Sequence, residues 1–144
     1  MISGQLALVT AALFTGAAIY VSFVDHPARM ALDPAAMLTE WKPSYKRGFA
    51  MQATLALIGF LFGTWAFAET QGWLWLAGGL ALLSGWPYTL LVILPTNKRL
   101  LATPLSAANA ETVALIAKWA VLHGVRTALG VASTLLFLAA SLSS

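Results

Sequence analysis

Residues 70–97 read TQGWLWLAGGLALLSGWPYTLLVILPTN, without a single Lys, Arg, Asp or Glu. About 20 apolar residues in a helix cross the hydrocarbon of a bilayer, so this run by itself predicts a membrane span. Working outward, residues 48–68 form a second uncharged run, and residues 1–24 a third that ends at the first charge, Asp25. A fourth begins at Thr127. Its apolar part, Thr127 to Ala140, covers only roughly 21 Å at 1.5 Å per residue. To span, it must recruit the residues before it, which include His123 and Arg126.

The composition agrees. The chain is 60% hydrophobic and 9% charged over 144 residues, against roughly 45–50% and about 25% in a soluble domain. A surface with so few charges is not a water-soluble one, and a chain this apolar is not disordered. The net charge of +3 comes from eight scattered cations against five acids, too thin for a nucleic-acid groove. The absence of cysteine removes disulfides, thiolate metal sites and thiol chemistry together.

The expected architecture is therefore all-α: a four-helix transmembrane bundle in a single domain, residues 1–144. The spans fall at about 4–25, 48–69, 72–95 and 109–140. The first span lacks a basic leader and is too long for a signal peptide. The 26–48 connection carries Arg29, Lys42, Lys46 and Arg47, and the 96–111 connection carries Lys98 and Arg99. The positive-inside rule places both in the cytoplasm and both termini outside. The bacterial inner membrane is the default location.

Local signals refine the picture. Asp33-Pro34 fits an N-cap and first helical residue, so a short cytoplasmic helix is expected at about 34–42, stopping before Pro43. Ser44 would then cap the second span. Pro27 disfavours helical geometry at His26, which ends the first span there. Thr103 and Ser106 are candidate starts for the fourth helix. Gly59 with Gly63, and Ala12 with Gly16, are small-x-x-x-small pairs that allow close helix approach. Gly78, Ser84 and Gly85 keep the third helix slim. Such Gly-rich faces also leave room for a homo-oligomer.

The polar residues carry the functional signal. Trp119, His123 and Arg126 share one helical face, and an ionisable residue within a span is a functional candidate by default. Asp25 is the nearest expected carboxylate for Arg126. His26 and Arg29 lie where the first span ends. Tyr45 and Gln52 share a face of the second helix, and Asn97 lies at the same end of the third. All map to the cytoplasmic half, where a polar-ended pocket between helices is expected. Two histidines without a thiolate or carboxylate cluster are a thin basis for a metal or haem, and no cofactor is expected. What remains is general-base chemistry by a histidine, with an arginine stabilising a developing oxyanion.

The order His26-Pro27-Ala28-Arg29, Trp41, Tyr45, Trp86-Pro87-Tyr88-Thr89, Pro95-Thr96-Asn97, then Trp119, His123 and Arg126, resembles the anthrone oxygenase-like family of small four-helix membrane proteins. The resemblance runs along almost the whole chain. The Pro-Thr-Asn followed by Trp-x3-His-x2-Arg is its most specific part. It implies a four-helix membrane fold and oxidation of an anthrone to an anthraquinone by molecular oxygen without a bound cofactor. On that reading His123 is the base, and Arg126 with Asn97 or Tyr45 holds the oxyanion. Trp86 and Trp119 grip the ring, with His26, Arg29 and Gln52 completing the substrate site. The partners are membrane lipid and a lipophilic small molecule. Two other classes stay open: a carrier for such a molecule, and a structural partner in the membrane.

Overall fold

The computed structural model describes residues 1–143, which are almost wholly helical, with no strand among the described residues. Four helices are long and apolar enough to cross a membrane: α1 (Ile2–Arg29), α2 (Pro34–Thr70), α3 (Trp73–Ala102) and α4 (Ala110–Leu142). Each packs on its neighbours in sequence, and α4 closes the ring on α1. The outward side chains are apolar: Leu91 is 78% exposed and Phe23 73%. Such a surface suits lipid and not water.

Asp33 caps α2 by accepting from the Ala36 N–H at 3.0 Å, with Pro34 following. That much matches the local signals, but the helix does not stop at Pro43. It runs unbroken for 37 residues to Thr70. The expected short helix at 34–42 is thus the first part of α2, and Ser44 caps nothing. The physical reason is packing. Met37, Leu38 and Trp41 are fully buried against Ile93, Leu100, Ile116 and Trp119, which outweighs the roughly 3 kcal/mol that an interior proline costs. At the other end, Gln71 adopts a left-handed conformation (φ 57°) and turns the chain into α3.

Nor does α1 end at His26. It continues to Arg29 through a π-helical turn at Val21–Asp25, and α3 has another at Thr89–Ile93. Each lies two residues before a proline, Pro27 or Pro95. A proline ring collides with the carbonyl four residues earlier, here that of Phe23 or Leu91, inside the widened turn in both cases. The π-turn relieves that collision without breaking the helix. For α4 the start is Asn109, not Thr103 or Ser106. Its side chain accepts from the N–H groups of Glu111 and Thr112, and Thr112 answers in a capping box.

The core is in two parts. Toward the end bearing the chain termini, Ala7, Ala11, Phe14, Ala56, Trp75, Leu82 and Phe137 cluster. A second cluster around Trp41 and Trp119 fills the end bearing most of the basic residues. Gly59 and Gly63 do allow close approach. A Cβ at Gly59 would sit 2.5 Å from Leu82, and one at Gly63 2.9 Å from both the Trp75 carbonyl and the Phe137 ring. Gly16 does not: nothing lies within 4 Å of its Cβ position, so the Ala12–Gly16 pair faces outward.

Candidate active site at the junction of the two cores

Between the two hydrophobic clusters, polar side chains of three helices gather. From α1 comes Ser22, from α2 Gln52, and from α4 His123, Arg126 and Thr127. His123 is 3% exposed and Arg126 8%. The Arg126 Nη2 donates to Gln52 Oε1 at 2.9 Å, and the guanidinium lies 6.0 Å from the Phe14 ring centroid. Among the described residues it has no carboxylate partner. Asp25, the expected counter-ion, bonds Arg29 instead at 2.6 Å, because Arg29 is one helical turn away on the same helix. Glu40 and Ser44 complete that cluster.

The His123 ring is stacked on Trp119 with centroids 5.1 Å apart. Its Nδ1 lies 3.4 Å from the Ser22 hydroxyl, which also meets Thr127 at 3.0 Å. Trp41 stacks flat on Tyr45 at 4.9 Å and meets Trp119 edge-on at 5.9 Å. Arg29 lies 5.6 Å over the same Trp119 ring. These contacts fix the rotamers of Trp119 and His123 from several sides.

Two pockets meet here. A small one of about 30 Å³ is lined by Val21, Ser44, Tyr45, Gly48, Phe49, Gln52, Trp119, His123 and Arg126. A larger one of about 240 Å³ lies between α2 and α3, lined by Phe49, Ala53, Gly85, Trp86, Thr89, Leu90 and Arg126. Phe49 and Arg126 are walls of both. The larger room opens beside the π-turn of α3 and the bend at Ser84, three residues before Pro87. Trp86 is pinned there by its indole N–H, which donates to the Ala53 carbonyl at 3.1 Å.

The predicted site residues thus fall into three groups. Tyr45, Gln52, Trp119, His123 and Arg126 line the small pocket, while Trp86 lines the large one. Trp86 and Trp119 therefore line different rooms that share the Phe49 and Arg126 walls. His26, Arg29 and Asn97 line neither. Asn97 is fully buried, and among the described residues neither of its amide atoms has a hydrogen-bond partner. The indole N–H of Trp41 and the Nε of Arg126 are likewise buried and unpartnered.

Residue-by-residue reading missed Gly48, Phe49, Ala53, Thr89 and Leu90. These are ordinary residues of an apolar helix, and only the neighbouring helices make them pocket walls. Thr89 is the partial exception. Most helical threonines here donate back to the carbonyl one turn earlier, as Thr54 and Thr64 do. Thr89 is 3% exposed and faces the large pocket, yet among the described residues its hydroxyl makes no such bond.

The sequence profile of the anthrone oxygenase family matches residues 41–136, about two-thirds of the chain and every helix that lines the two pockets except α1. The chain belongs to the anthrone oxygenase family. An anthrone oxygenase of Claviceps purpurea is 30% identical, over 91% of this chain and 83% of its own length. The anthrone oxygenase tpcL of Aspergillus fumigatus is 28% identical, over 88% of this chain and 85% of its own. No solved structure matches the chain.

Proposed function

We propose that this chain is a membrane-embedded oxygenase for a flat, lipophilic, anthrone-like substrate, deprotonated by His123 and held as an anion beside Arg126. The observation that carries this reading is Arg126 itself. It is a buried guanidinium without a carboxylate, at the common wall of both pockets. An uncompensated cation in this setting is costly, and an anion formed from the substrate would repay it.

The larger pocket suits the substrate by size and lining. Ligand sites commonly measure about 300–1,000 Å³, so a room of about 240 Å³ selects a compact ring system. Phe49, Trp86 and Leu90 are half-exposed on the lipid-facing side, which gives a molecule dissolved in the bilayer a lateral way in between α2 and α3. Thr89 and Arg126 are the polar groups awaiting it.

The chemistry follows from the substrate and these residues. Loss of a methylene proton from an anthrone gives an aromatic phenolate-like anion, so a neutral imidazole is a sufficient base. Ser22 at Nδ1 and the stacked Trp119 are positioning residues for the His123 ring. Gln52 positions Arg126. The anion is electron-rich enough to react with oxygen directly, and the net change is anthrone plus O₂ to anthraquinone plus water.

Arg126→Gln in detergent-purified protein tests the anion site. Quinone formation, followed by absorbance, should fall by about 10²–10³-fold, the loss typical of removing one oxyanion donor, with helicity unchanged by circular dichroism. Turnover undiminished by this change would refute the reading.

A further inference from the structure

The small pocket is too small for the substrate and too well furnished to be a packing fault. At about 30 Å³ it has room for one or two waters or a diatomic molecule, since a cavity of about 10–15 Å³ already holds one water. Its lining includes the His123 ring, the Arg126 guanidinium, Tyr45 and Gln52, with Val21 on the α1 side. Packing defects in helical cores are lined by apolar groups and stay dry. This one brings together the base and the cation of the proposed reaction.

Resting on the oxygenase reading above, we infer that this compartment is the dioxygen site, separate from the room that holds the ring system. The substrate carbon that gives its proton to His123 must lie at the boundary the two pockets share, beside Phe49 and Arg126. The face of that carbon turned toward His123 then looks into the small compartment.

The electron count closes with O₂ placed there. The deprotonated substrate passes one electron to O₂, giving a substrate radical and superoxide. These combine to form the C–O bond of a peroxide anion, which Arg126 faces. The proton held on His123 returns to the peroxide oxygen. Loss of the remaining proton on that carbon, with cleavage of the O–O bond, gives the ketone and releases hydroxide, which with that proton makes water. O₂ is the oxidant, and no further reductant is consumed.

Val21 provides the test, because its aliphatic side chain lines the compartment from α1 and takes no part in the proposed chemistry. Val21→Leu and Val21→Phe add bulk to that wall. Oxygen consumption is measured with the purified chain at saturating anthrone across a range of O₂ concentrations, with helicity checked by circular dichroism. Val21→Phe should raise the KM for O₂ by about tenfold, with Val21→Leu between it and the parent and the KM for the anthrone unmoved. Ala53→Val, in the larger room, should do the reverse. If the parent turns over and Val21→Phe leaves the KM for O₂ unchanged, the compartment holds only water and the inference fails alone. If the parent consumes no oxygen with an anthrone, the oxygenase reading fails and takes this one with it.

Discussion

Arg126 and Arg29 show how the same side chain takes on different work in one bundle. Arg29 is almost fully buried but bridges Asp25 and Glu40, so its charge is answered within the protein. Arg126 has a neutral amide and two pocket walls. Asn97 presents the same contrast among neutral groups. A buried amide with no partner costs about 1–3 kcal/mol. Asn97→Leu should therefore leave thermal stability in detergent unchanged or higher. A lower melting temperature would instead make Asn97 a structural tie. At this scale the sequence was legible where chemistry sets a residue apart: His123 and Arg126 stand out in any apolar helix. It was silent about Gly48, Phe49 and Ala53, whose part in the site depends wholly on which helices lie opposite.

The helices themselves tell a similar story. Gaps between charges reveal four spans because the bilayer imposes their length. Their ends were harder to read because proline has two outcomes. Pro43 was expected to stop a helix, yet Met37, Leu38 and Trp41 have a buried cluster to fill, and α2 runs through. Pro27 and Pro95 also leave their helices unbroken, each with a π-turn just upstream. No periodicity in the residues announces a π-turn, since it is the response of a packed helix to a local clash. The turn in α3 begins at Thr89 and borders the large pocket, so this hidden feature helps to shape the site. Close helix contact is equally selective. A Cβ at Gly78 would lie 2.6 Å from the Phe137 ring, whereas one at Gly124 meets nothing within 4 Å. Gly78→Ala should cost about 1–3 kcal/mol of stability, the usual cost of overpacking. Gly124→Ala should be neutral or slightly stabilising, since alanine is the better helix former. Thermal unfolding of the two variants in detergent separates the cases.

As a whole, the molecule is a bundle with two unlike ends. One joins Ser3 to Glu69 and seats Trp75 beside Gly4. The other carries the Arg29 cluster, the Lys42 ammonium bonded to the Thr103 carbonyl at 2.7 Å, and Arg99 paired with Glu111 at 2.5 Å. At 1.5 Å per residue, α2 and α4 reach roughly 50–55 Å, well beyond a hydrocarbon core of about 30 Å. Both helices are therefore longer than a crossing requires, and the polar junction lies between the two hydrophobic clusters. Charge bias predicts that the basic end faces the cytoplasm. Since the chain has no cysteine, Ser106→Cys and Ser143→Cys each create a single label site, both exposed. An impermeant maleimide should reach position 143 from outside intact cells or spheroplasts and position 106 only after the membrane is opened. The opposite pattern would invert the topology.

On the proposed mechanism, a histidine buried in this bundle removes a proton from a bilayer-soluble anthrone so that oxygen can attack. Oxygen uptake by the purified chain supplied with an anthrone, with His123→Ala beside it, tests that most directly. Uptake should depend on the anthrone and fall by about 10²–10⁴-fold in the variant, the range for loss of a general base, with the bundle still folded. Uptake that proceeds undiminished without His123 would contradict it.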